Sequence, residues 1–247
     1  RGLDTFLNEA GVREVLSHPF MRLSILSVRS RRLTAIRQAS PLTLGFLAAI
    51  LANAISRRLM GLFFERGLFY DSRDVPPFRH MNEFPLQACP LTPANLKPAL
   101  MATGAIPMIM EAVTDIPGAA PGFYRDGGVL DYHLNIPFGA DNCKLVLFPH
   151  YTDRIIPGWL DKGLKWRRPR AEYMKNVLVI SPSPEFVKNL PYGKITDRND
   201  FWTFQGRDAE RKLYWRQVVD AGRRLADEFS EWTETGRIRE RVVPLPG

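Results

Sequence analysis

Cysteine is nearly missing from this chain: Cys89 and Cys143 are the only two in 247 residues. Two thiols build no disulfide framework, so a reducing compartment is the simpler reading and a cytoplasmic location is expected. Histidine is almost as scarce. His18, His80, His133 and His150 are scattered without metal-ligand spacing, so neither a metal nor another cofactor is expected. No apolar run reaches the roughly 20 residues that a membrane-spanning helix needs. The longest, Leu42 to Ile55, stops at Ser56 and the Arg57-Arg58 pair. A signal-peptide pattern and an initiator methionine are both missing, so the chain is expected to start inside a longer protein. Internal repeats and low-complexity tracts are absent as well.

What is present reads as an ordinary globular chain, with 45% hydrophobic and 24% charged residues. Its length suits one domain with a substantial core. The net charge of +8 draws anions without choosing among them. No helix-turn-helix, zinc finger or aromatic RNA-binding signature accompanies it, which disfavours nucleic acid and leaves an anionic membrane surface as the expected partner.

Patterning suggests a short helix over 3–17 and another from Leu42 to Ile55. The second is read either as a buried helix or as a lid or interfacial helix, its greasy surface extended by Leu59, Met60, Leu62, Phe63 and Phe64. Residues 71–98 hold six prolines, Pro76, Pro77, Pro85, Pro90, Pro93 and Pro98, and read mostly as loop. Asn95 to Thr103 reads as a helix, with Pro98 tolerated in its first turn. Tyr124 to Asp126 closes one strand, and 144–148 and 176–180 form two more. The unbroken apolar runs of the last two predict burial on both faces, as in a parallel sheet. Residues 207–232 carry the clearest helix, with Val218, Gly222, Leu225, Phe229 and Trp232 in step. Strands alternating with helices predict an α/β three-layer domain.

The most informative stretch is Tyr124-Arg125-Asp126-Gly127-Gly128-Val129-Leu130-Asp131. A carboxylate followed by two glycines at a strand end can turn the chain sharply and leave the carboxylate facing a crevice. Asp-Gly-Gly alone is usually an ordinary turn. Here it follows a run of small residues, Leu100 to Ala105, that leads into Ile106-Pro107, and it precedes Asn135-Ile136-Pro137. In these residues the chain resembles the patatin-like phospholipases, a family of lipid acyl hydrolases, over about 84–150. The resemblance implies a three-layer α/β/α fold with a mostly parallel central sheet, incomplete at its amino-terminal side. Residues 1–247 would be the carboxyl-terminal part of a single such domain. Within it, 1–80 would be helical and lid-like or membrane-facing, 84–184 the motif-bearing core, and 185–247 a helical extension.

The family hydrolyses esters with a serine–aspartate dyad. By resemblance Asp126 is the dyad aspartate, shaped by Gly127 and Gly128; the other reading of Asp126 is a turn cap. An aspartate with the usual pKa of about 3.9 is a poor base, so its site must perturb it or hold it very close to the hydroxyl. The family's serine sits in a Gly-x-Ser-x-Gly elbow, and a glycine-rich loop supplies oxyanion donors. Neither motif occurs in these 247 residues. Both are expected upstream of Arg1, and this chain alone is expected to be inactive.

Around the motif, Asp131 is read as a cap for the turn after the glycines and His133 as a loop residue near the site entrance. Asn135-Ile136-Pro137 resembles the family's Asn-x-Pro segment, which packs beside the site. Cys89 and Cys143 are read as small core residues. A separate cluster, Trp159, Lys162, Lys165, Trp166, Arg167, Arg168 and Arg170, interleaves tryptophans with positive charges. It is read either as a membrane or headgroup contact or as a solvated loop with its tryptophans turned inward. Two functions follow as expectations: a patatin-like acyl hydrolase acting on a phospholipid or another acyl ester, or an inactive relative that docks on membranes or partners.

Overall fold

The computed structural model describes residues 7–139 and 145–245, together with Leu3 and Thr5. The chain divides into two compact units, one from Arg1–Lys144 and Ile155–Asn176, the other from Leu145–Arg154 and Val177–Gly247.

The first unit is built on a four-stranded sheet in the order β3-β2-β1-β4. Its elements, in chain order, are α1 (Glu9–Ser17), β1 (Ser24–Ser30), α2 (Ala39–Ile55), β2 (Phe64–Tyr70), β3 (Leu86–Pro90), α3 (Leu96–Thr103), β4 (Tyr124–Asp126) and α4 (Gly128–Asp131). β1 runs antiparallel to β2 over all seven residues and antiparallel to β4, while β2 and β3 are parallel. The sheet is mixed rather than mostly parallel. Two of its strands also lie inside 1–80, the stretch expected to be helical.

Both departures have a physical reason. β1 reads Ser-Ile-Leu-Ser-Val-Arg-Ser, with serines where an apolar run would show a buried strand. Every residue of β2 is buried, yet Glu65 and Arg66 interrupt its apolar pattern. Those charges are tolerated because each is paired, Glu65 with Arg29 and Arg66 with Asp131. Pairing across the sheet is invisible along the chain.

Side chains alternate across a strand, so the two faces of the sheet can be told apart by register. Ile25 and Phe69 are register partners and pack with Leu96, Ala99 and Ala102 of α3 and Val12 of α1. Val28 and Phe64 have the other parity and pack with Leu42, Phe46 and Ala49 of α2 and with Val129 and Leu130 of α4. Helices thus cover both faces. Gly45 lets α2 lie against the 31–34 segment, since a Cβ there would come within 2.8 Å of the Leu33 backbone. Among the described residues no helix is long and apolar enough to cross a membrane.

In the second unit β5 (Val146–Pro149) and β6 (Val177–Ile180) form a parallel pair, as their apolar runs suggest. They make a two-stranded sheet of their own, and no residue of either strand is fully buried. Burial on both faces is not what the structure shows. A 27-residue helix, α5 (Asp208–Glu234), completes the unit, anchored by buried Tyr214 and by Asp200, which accepts from Trp215 and Lys194.

Candidate active site

β4 is three residues long, and its position is set from both sides. Ser27 and Val28 of β1 pair with Asp126 and Arg125. On the other side the Val113 and Tyr124 backbones exchange hydrogen bonds of 2.9 and 2.8 Å, and the Asp126 N–H donates to the Ala105 carbonyl at 3.1 Å. Ala105 is the first residue of the Ala-Ile-Pro run, so the two halves of the motif meet directly through the backbone. α3, which leads into that run, forms where expected. Buried Asn95 precedes it and accepts from the Thr92 N–H at 2.8 Å, with Pro98 in the first turn.

The two glycines act through space rather than through unusual backbone angles. Gly127 has φ −61° and ψ −24°, an ordinary right-handed conformation. A Cβ on it would lie 2.7 Å from the Leu26 carbonyl carbon, so only glycine fits beneath β1. The same Leu26 carbonyl accepts from the Thr103 hydroxyl at 2.6 Å, which ties α3 to the crossing point. At Gly128 a Cβ would stand 3.0 Å from the Asp126 Oδ1. The chain then enters α4, where the Leu130 and Asp131 N–H groups donate to the Gly127 carbonyl.

Asp126 shares its strand face with Tyr124 and borders a cavity of about 850 Å³. Its Oδ1 accepts from the Gly128 N–H at 2.8 Å. Burial pushes its pKa above the ordinary carboxylate value, and the Gly128 hydrogen bond partly opposes that rise. Leu26, Leu100, Ile136 and Phe138 give the cavity wide apolar walls, while Thr103 and Tyr132 supply hydroxyls. Arg22, Asp74 and Asp131 also line it, so charged groups stand among the apolar walls.

The neighbours expected at the site divide. Asp131 is not a turn cap: it lies inside α4, buried, and holds Arg66 bidentately at 2.7 and 2.6 Å. Burial alone would lower the Arg66 pKa, but the Asp131 carboxylate, together with Glu83 and Tyr173, more than offsets it and the net shift is upward. His133 is buried rather than at an entrance. Its Nδ1 accepts from the Ile156 N–H at 3.0 Å, and its ring stacks on Tyr132, which does line the cavity. Asn135 is buried and accepts from the Arg170 N–H at 2.7 Å, which sets Ile136 against the cavity. Cys89 is a buried core thiol whose pKa burial raises; Cys143 lies outside the described residues.

Of the basic–aromatic cluster, Lys162, Lys165, Trp166 and Arg168 are exposed, with Lys162 4.1 Å above the Tyr132 ring. Arg167 and Trp159 are half-buried. Arg167 donates to the Asn53 carbonyl at 2.5 Å and lies 3.3 Å from Asp161. Asp161 is fully buried and accepts from Asn53, Arg57 and the Gly158 N–H. The Arg66–Asp131 pair and this Asp161 hub are the structural charges that the chain order concealed. Among the described residues no group of three or more His, Cys, Asp or Glu side chains could hold a metal ion. Compared with models of known protein families, with curated proteins and with solved structures, the chain has no significant match, so the patatin resemblance rests on the motif residues themselves.

Proposed function

We propose that this chain carries the aspartate half of a patatin-like serine acyl hydrolase, acting on a phospholipid or another acyl ester, within a three-layer α/β/α domain. The nucleophilic serine and the oxyanion loop come from a part of the protein upstream of these residues. One observation carries the reading. Asp126 stands at a strand end on an apolar cavity, one oxygen fixed by the Gly128 N–H and its pKa raised by burial. The Gly128 bond by itself is a turn-capping contact, so burial and the cavity are what support a base here.

In this reading Asp126 takes the serine hydroxyl proton as the serine oxygen attacks the ester carbonyl carbon. Backbone N–H groups of the upstream loop hold the oxyanion. The tetrahedral species collapses, the ester C–O bond breaks, and the departing alkoxide takes the proton from Asp126. Water then gives a proton to Asp126 and attacks the acyl-enzyme. Fatty acid leaves, and the proton returns to serine. The apolar walls hold the acyl chain and exclude bulk water.

Ester hydrolysis by the full-length protein tests this. Asp126→Asn keeps the Gly128 hydrogen bond and removes the base, and is expected to cost roughly a hundred- to ten-thousand-fold in kcat. Activity within a few-fold of wild type would overturn the role.

A further inference from the structure

α2 is uncharged along its whole length, Ala39–Ile55, and one of its faces is uncovered. Leu42, Phe46, Ala49 and Asn53, in steps of four, three and four, are buried against the sheet and its neighbours. Leu44, Leu47, Leu51 and Ile55, in steps of three, four and four, are 62%, 51%, 67% and 80% exposed. These spacings place the second set in one stripe on the outward side. Leu33, on the segment that Gly45 admits against the helix, adds to the apolar surface. Monomeric soluble proteins seldom leave so continuous an aliphatic stripe in water.

The charge around the stripe says what covers it. From Val15 to Phe64 there is no aspartate or glutamate, while Arg22, Arg29, Arg31, Arg32, Arg37, Arg57 and Arg58 all fall there. Arg29 and Arg57 are spent on internal pairs, but Arg31, Arg32, Arg37 and Arg58 are exposed around the helix. The Asn53–Asp161 and Arg167–Asn53 bonds also bind the 157–168 segment to the last turns of α2. That segment exposes Lys162, Lys165, Trp166 and Arg168. A second copy of the chain would bring these cations face to face, which opposes self-association. An anionic lipid surface answers both features at once: aliphatic side chains enter the acyl boundary while arginine and lysine meet the headgroups.

We infer that the Leu44–Leu47–Leu51–Ile55 face of α2 docks this protein on anionic bilayers, lying in the interface rather than crossing it. The inference does not depend on Asp126 being catalytic. Co-sedimentation of the full-length protein with phosphatidylcholine vesicles, with and without phosphatidylserine, tests it. Binding is expected only with phosphatidylserine, weakening as salt rises. Leu47→Ser/Leu51→Ser and, separately, Arg32→Gln/Arg58→Gln should each weaken it at least about tenfold at unchanged Tm, since aliphatic insertion and headgroup attraction both contribute. The arginine variant leaves the apolar stripe untouched and serves even if the serine variant folds poorly. Equal binding to both vesicles, no binding to either, or full binding by both variants would overturn the inference. So would a dimer in light scattering that the serine variant converts to monomer.

Discussion

Asp126 sits where burial makes its charged form expensive, and that has two opposite consequences. Its pKa is raised in the folded state, so the native protein binds a proton more readily than the unfolded chain does. The stability Asp126 contributes is therefore greatest when it is protonated and is lost as pH rises through its folded pKa. Asp126→Asn should accordingly raise Tm at neutral pH, with the gain shrinking toward acid. Thermal melts at several pH values check this, and a lower Tm for the variant at neutral pH would contradict it. The catalytic sign runs the other way. A base must be ionised, so the rate should climb with pH through an apparent pKa above the usual carboxylate value, and a pH–rate profile reads this directly. Gly127 offers a second residue-level test. A Cβ would meet the Leu26 carbonyl, so Gly127→Ala should destabilise by about 1–3 kcal/mol in a denaturant titration, through overpacking rather than backbone strain. The Asp126-Gly127-Gly128 triplet was legible in the sequence as a sharp, close-packed turn. That Gly127 is required by a neighbouring strand, and not by its own φ, was not legible, because β1 lies about a hundred residues earlier in the chain.

At the scale of elements, legibility followed how local the determining forces are. α3 could be read from Asn95 and Pro98, and β4 from its position before the glycines, because capping and turn chemistry act within a few residues. β1, β2 and β3 could not. Their identity depends on pairings between distant segments, and β2 hides a buried arginine and glutamate whose partners lie on other elements. Arg66 and Asp131 join β2 to the short helix that follows the motif, so the chain just after Asp126 is held by a buried ion pair. Asp131→Ala should cost about 3–5 kcal/mol, because it leaves the Arg66 cation buried without its anion. The double change Arg66→Met/Asp131→Leu should recover most of that loss, and denaturant unfolding of the three proteins would show it. If the single change costs less than about 1 kcal/mol, the pair does not anchor the motif.

For the whole molecule, alternating strands and helices correctly announced a mixed α/β protein, while the mixed sheet and the two-unit division became visible only in three dimensions. The apolar runs of β5 and β6 look like core strands along the chain but, among the described residues, pair in a two-stranded sheet of their own. A run of valine and leucine reports burial of some kind and says nothing about which sheet receives it. The proposed function also reaches beyond these residues, since in that reading Asp126 acts with a serine from elsewhere in the protein. Fluorophosphonate labelling of the full-length protein, with the adduct mapped by mass spectrometry, tests that claim most directly. An adduct is expected on one serine upstream of these residues, formed far more slowly in Asp126→Asn. No adduct in folded protein, or labelling that proceeds equally in Asp126→Asn, would contradict it.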